Sequence, residues 1–144
     1  MTISSTPPTG SSQKETAKTG LMQGKKGLIM GVANDRSIGW GIAAVAADQG
    51  AELAFTYQGD ALKKRVNPLA ASVGSDMVLP CDVTDEASVD LVFNSLKEKW
   101  GKLDFLVHAI AYSDKEELKG GYVDTTRENF QKTMDISVYS FTAL

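Results

Sequence analysis

Gly27-Leu-Ile-Met-Gly31-Val32-Ala-Asn-Asp-Arg-Ser37-Ile38-Gly39-Trp-Gly41 is the stretch that decides the fold. Gly27–Val32 is a short apolar run that reads as a strand, and the alanine-rich residues 38–49 read as a helix with Gly50 placed to end it. The glycines between them let backbone N–H groups approach a pyrophosphate, and a helix N-terminus favours its charge. The alternative is a flexible strand-to-helix loop with packing glycines. Seven residues separate Gly31 from Gly39, so the spacing is neither G-x-G-x-x-G nor T-G-x-x-x-G-x-G.

Outward from this stretch, strand-like and helix-like runs alternate. Glu52–Tyr57 reads as a second strand, and residues 60–72 as a helix capped by Asp60, closed at Gly74 and kinked or shortened by Pro68. Residues 76–79 read as a third strand running into Cys81-Asp82-Val83. Thr84 or Asp85 then caps a helix carrying Val89, Phe93, Leu96 and Trp100 at helical spacing. Residues 103–110 read as a fourth strand, followed by a polar loop holding Gly120-Gly121. Thr125-x-x-Glu128 has the form of a capping box and opens a helix with Phe130, Met134 and Phe141 along one side. No stop signal follows before Leu144, so the chain is expected to be cut. The order predicts an α/β fold: a Rossmann-like, doubly wound parallel sheet, truncated after about four strands, with helices on both faces. Right-handed crossovers put every strand C-terminus on one edge, where such sheets bind ligands.

The 144-residue chain has 42% hydrophobic and 23% charged residues, as soluble domains do. Its net charge of −3 argues against a nucleic-acid binder. No apolar run approaches the roughly 20 residues of a membrane span, and no metal-ligand set is expected. Residues 1–23, rich in Ser, Thr, Pro and Gly, are expected to be a disordered tail, with residues 24–144 forming the domain. The tail lacks the apolar core of a signal peptide, and its lack of arginine together with Glu15 disfavours a transit peptide. Gly20-Leu-Met-Gln-Gly24-Lys25-Lys26 faintly resembles a P-loop, but the spacing is one residue short, no Ser or Thr follows the lysine, and a strand follows. Cys81 is the single cysteine, which excludes an internal disulfide and suits a buried, inert thiol in a reducing, cytosolic compartment.

The candidate functional residues lie just after the strands. Gln58 stands where dinucleotide sites often carry an acid for the ribose 2′-hydroxyl, and no strand-end arginine is present for a 2′-phosphate, which favours NADH over NADPH. Asp82 is placed either to accept from an adenine amino group or to belong to the turn before the next helix. His108 is either catalytic or a structural histidine with its bonds satisfied. The small residues 109–111 leave room for a ribose.

Together, Gly31-Val-Ala-Asn…Ser37-Ile38…Gly41-Ile42-Ala43, then Gly50-Ala-Glu-Leu-Ala-Phe-Thr-Tyr57-Gln58, Cys81-Asp82-Val83 and Asp135-Ile136-Ser137…Tyr139-Ser140-Phe141 resemble the bacterial NADH-dependent enoyl-acyl-carrier-protein reductases. These are divergent short-chain dehydrogenases of type II fatty acid synthesis, and the resemblance runs from about Gly24 to Leu144. It implies hydride transfer from NADH to C3 of a trans-2-enoyl thioester carried by acyl carrier protein, in a cytoplasmic homotetramer. By position, Gly31, Ser37 and Ile38 would border the pyrophosphate and Gln58 the adenosine ribose. Asp82 and Val83 would hold the adenine, Ile110 and Ala111 would line the nicotinamide side, and Ser113 would contact substrate. Gly39 and Ser113 depart from the family, where alanine is common at both places. The family's catalytic Tyr-x6-Lys is expected beyond Leu144, so no catalytic residue is assigned and residues 1–144 alone are expected to give no turnover. Tyr57…Lys64 and Tyr112…Lys119 share that spacing by chance. A different short-chain dehydrogenase, or a truncated product that binds nucleotide without catalysis, are the competing identities.

Overall fold

The computed structural model describes residues 20–144. Strands β1 (Lys26–Met30), β2 (Glu52–Tyr57), β3 (Met77–Pro80) and β4 (Phe105–His108) alternate with helices α1 (Ile38–Asp48), α2 (Gly59–Ser72) and α3 (Glu86–Trp100). The four strands form one parallel sheet in the order β3-β2-β1-β4. Two short 3₁₀ turns (Lys115–Leu118 and Tyr122–Asp124) lead to α4 (Arg127–Met134), a π-helical turn (Asp135–Tyr139) and α5 (Ser140–Ala143).

Burial on both faces explains the continuous apolar runs of the strands. Ile29, Leu53 and Phe55 pack with Ala43 and Ala46 of α1 and with Val66 and Ala70 of α2 on one face. Leu28, Met30, Ala54 and Met77 pack with Val92 and Leu96 of α3 on the other. The sheet is therefore doubly wound. Gly27 lies opposite Phe105 in the β1–β4 register, and a Cβ on Gly27 would overlap the Phe105 ring, so that ring covers the gap left by the glycine.

Element boundaries shift where side chains compete with the ladder. β4 starts late because Asp104 turns its carboxylate to accept from the Lys26 N–H at 2.8 Å. It ends at His108, one residue before the Ala109 N–H makes the last bond to Met30. Asp60 is not the cap of α2; Gln58 occupies that position and Asp60 lies in the first turn, where its charge favours the helix dipole. The helix continues through Pro68 to Ser72, and Gly74 follows with φ +77°. Asp85, not Thr84, caps α3 by accepting from the Ala87 N–H at 3.1 Å.

The cap of α4 is Thr126 rather than Thr125: its hydroxyl oxygen accepts from the Asn129 N–H at 3.2 Å. The reciprocal carboxylate is Glu117, not Glu128, taking the Thr126 N–H at 3.0 Å and its hydroxyl at 2.9 Å. A capping box is thus assembled from two separate segments. At the other end of the domain, residues 21–24 form a turn rather than tail, with the Met22 N–H donating to the Gln49 carbonyl at 3.0 Å. The strand following Lys25 rules out the P-loop alternative. The remaining tail expectation, residues 1–19, lies outside the described residues.

Candidate functional site

The C-terminal ends of all four strands open into one cleft of about 600 Å³. It crosses the sheet where the order reverses between β1 and β4, the switch point of an open α/β sheet. Gly31, Gln58, Asp82, Val83, Ile110 and Ala111 all line it. Ser37, Ile38 and Ser113 are not among its lining residues.

Gly31 turns the chain out of β1 at φ +91°, and a Cβ there would overlap the Ala109 carbonyl. The long loop after it is held together from within. Ser37 Oγ accepts from the N–H groups of Ala33 and Asn34, both at 3.0 Å, and Asn34 Oδ1 accepts from the Arg36 N–H at 2.9 Å. Ser37 occupies the N-cap position of α1 but spends its hydroxyl on this loop. Ile38 is 80% exposed at the helix start.

Gln58 and Asp82 meet across the ends of β2 and β3, Gln58 Nε2 donating to Asp82 Oδ2 at 2.8 Å. Asp82 Oδ1 accepts from the Thr84 N–H at 2.9 Å and the Thr84 hydroxyl at 2.7 Å. These Thr84 bonds, with the Gln58 bond adding to them, hold the Asp82 carboxyl below its ordinary range. Asp82 therefore serves both alternatives: it orders the turn before α3 and faces the cleft. Cys81 beside it is 8% exposed, and burial, reinforced by the Asp82 charge, pushes its thiol up, which suits an inert group.

At the β4 end, His108 is structural. Ser140 Oγ donates to the Ile136 carbonyl at 2.7 Å, so its lone pair accepts from His108 Nε2–H at 2.7 Å. Phe141 meets the imidazole edge-on at 5.6 Å. Ser113 is turned towards α4, where its oxygen accepts from Asn129 Nδ2 and from the Thr133 hydroxyl, both at 3.1 Å. Asn129 is 5% exposed, and its Oδ1 accepts from the Asp114 N–H at 3.0 Å. Asn129→Ala is expected to cost about 1–3 kcal/mol by orphaning these groups. Chemical denaturation checks that figure, and faster amide exchange at Asp114 checks its location.

Sequence patterns missed Lys132, Tyr112, Asp135 and Ile136, which also line the cleft. Lys132 pairs with Asp114 at 2.8 Å and lies 5.0 Å from the Tyr112 ring centre, while the Tyr112 hydroxyl donates to Asp114 at 2.8 Å. Lys132, with the Tyr112 hydroxyl second, holds the Asp114 carboxyl below its ordinary range. No local motif signals this clamp, because its members come from a loop and from a helix beyond it. It also occupies Tyr112, while Lys119 pairs with Glu116 at 2.8 Å, so those two do not act as a pair. Lys63, not Lys64, lies over the Tyr57 ring, at 5.7 Å. Among the described residues, no group of three or more His, Cys, Asp or Glu is placed to hold a metal ion, and no helix is long and apolar enough to cross a membrane.

A doubly wound parallel sheet with its cleft at the switch point defines the class: an α/β domain of Rossmann type. The family model for enoyl-(acyl carrier protein) reductase matches residues 31–144, and the chain belongs to that family. It is 67% identical over 126 residues to enoyl-(acyl-carrier-protein) reductase (NADH) 1 of Rhizobium meliloti (strain 1021), covering 88% of this chain and 46% of that one. FabI from Candidatus Liberibacter asiaticus superposes with a TM-score of 0.83 at 56% identity, over 86% of this chain and 48% of that one. The Anaplasma phagocytophilum reductase, solved in complex with NAD, gives 0.82 at 59% identity, over 86% of this chain and 47% of that one. The chain spans about half the length of the relatives it matches.

Proposed function

We propose that this chain is the NADH-binding half of an enzyme that reduces trans-2-enoyl-acyl-carrier-protein in type II fatty acid synthesis. The observation that carries this reading is the single cleft joining the ends of all four strands, within the roughly 300–1,000 Å³ of ligand pockets. Its chemistry is graded to suit a dinucleotide. The polar pair Gln58 and Asp82 stands at one end, and Ile110 and Ala111 offer small, apolar walls at the other. Between them, α1 starts without an acidic residue in its first turn, leaving its positive end for a pyrophosphate.

In this reading Gln58 meets the adenosine ribose, Asp82 and Val83 hold the adenine, and Ile110 and Ala111 face the nicotinamide. Gly31 keeps the strand end open, and Ser37 acts through the loop N–H groups it arranges, with Ile38 beside it. Ser113 braces the wall near the acyl site from behind, through Asn129 and Thr133. NADH, when bound, supplies the hydride for C3 of the enoyl thioester. The family's Tyr-x6-Lys pair, which would polarise the thioester carbonyl, is not within this chain.

Titration of the purified protein with NADH, followed by absorbance with a trans-2-enoyl thioester of acyl carrier protein, tests the proposal. The complete enzyme is expected to bind NADH and consume it only with the enoyl thioester. Residues 1–144 alone are expected to bind NADH without turnover, and absence of saturable NADH binding would overturn the assignment. We further infer a cytoplasmic homotetramer, supported by the exposed apolar residues Phe130, Met134, Val138, Tyr139 and Phe141. Light scattering of the complete enzyme checks the assembly.

A further inference from the structure

The end of β2 carries an amide where dinucleotide sites often carry an acid. An amide has two ends of opposite use: its NH₂ donates and its oxygen accepts. A ribose 2′-hydroxyl has a proton to donate, whereas a 2′-phosphate offers mainly acceptor oxygens and negative charge. Which end of Gln58 points towards the ribose therefore bears on which cofactor the site accepts.

Asp82 decides that orientation. An ionised carboxylate only accepts, so the 2.8 Å contact to Asp82 Oδ2 must come from Gln58 Nε2. Oε1 is left as the outward-facing end. Asp82 is itself fixed, with Oδ1 taking both Thr84 groups and its N–H donating to Ser88 Oγ at 2.9 Å. We propose that Asp82, acting through Gln58, is the residue that makes this site prefer NADH over NADPH. It stands in for the missing acid from the neighbouring strand end, presenting an acceptor to a 2′-hydroxyl and an acceptor plus a negative charge to a 2′-phosphate. Asp60 in the first turn of α2 adds to the repulsion, and Lys63, the first cation after Gln58, lies over the Tyr57 ring. This inference rests on the reading of the cleft as an NADH site.

Dissociation constants for NADH and NADPH, measured on the purified protein and on Asp82→Asn, Gln58→Met and the double variant, test it. The unaltered protein is expected to prefer NADH. Asp82→Asn keeps an acceptor for Thr84 but frees Gln58 to turn its NH₂ outward. It should raise NADPH affinity and lower the preference about tenfold, the scale of one hydrogen bond made or lost. Gln58→Met should lower the preference without the NADPH gain, and the double variant should lower it no further than the larger single change. A gain in NADPH affinity is not something a merely misfolded variant produces. Equal weakening of both cofactors by Asp82→Asn, or additive losses in the double variant, would show that Asp82 only holds the adenine and overturn the proposal. An unaltered protein that binds neither cofactor would instead refute the NADH site itself.

Discussion

Gly31→Val is expected to destabilise the domain by about 2–6 kcal/mol, summing roughly 1–3 for a side chain forced to positive φ and 1–3 for displaced neighbours. The cause is local and rigid. Gly31 sits at φ +91° and its missing Cβ is replaced in space by the Ala109 carbonyl, which is backbone and has no rotamer to adopt. The substitution therefore pushes β1 and β4 apart at the mouth of the cleft. NADH affinity should fall with stability, and titration beside urea denaturation reads both. Gly41→Ala provides the contrast, because a Cβ at Gly41 meets nothing within 4 Å and the position lies inside α1. Without cofactor, that variant should be more stable by about 0.5–1 kcal/mol. A Gly31→Val protein as stable as the parent would refute the close approach of the two strands.

The second large effect is expected from Phe55→Ala, at about 3–5 kcal/mol. Phe55 is 0% exposed, sits on the second strand from the sheet edge between Ile29 and Val78, and lies 6.4 Å from the Trp40 ring. Removing it opens a cavity under both α1 and α2, which share that face. Domains of this kind have about 5–15 kcal/mol in total, so the variant should stand near the edge of folding at room temperature. Phe55→Leu, which keeps most of the volume, should lose much less. A loss below about 1 kcal/mol for the alanine variant would mean that the face can collapse onto the gap.

Much of this fold was legible because its strands are buried on both faces and its helices are not. The apolar runs at 27–32 and 52–57 and the stripe Val89, Phe93, Leu96, Trp100 announce themselves by period alone. The parallel order then follows, and with it the edge on which Gly31, Gln58, Asp82 and Ile110 gather. What escaped was decided by contacts between distant segments. Glu117 completes the Thr126 cap from nine residues upstream, and Asp104 leaves the strand to serve Lys26. The Lys132–Asp114–Tyr112 clamp needs a helix folded back over a loop before its members meet. Gln58 and Asp82 were each visible as single candidates, but the bond between them depends on the strand order. The reach of Ser113 was misjudged for the same reason: Asn129 and Thr133 draw its hydroxyl towards α4.

The π-helical turn at Asp135–Tyr139 gives the chain an unusual sensitivity to insertion and deletion. Such a turn holds one residue more than an α-helical one would. Losing any single residue there would let the helix run on in regular phase and swing everything after it by roughly 100°. Ser137, which takes the Tyr112 N–H, and Ser140, which takes His108, would then no longer face their two partners together. Length at this point should therefore be inherited more strictly than residue identity, and a one-residue gap in an otherwise similar chain would mark a reshaped cleft wall.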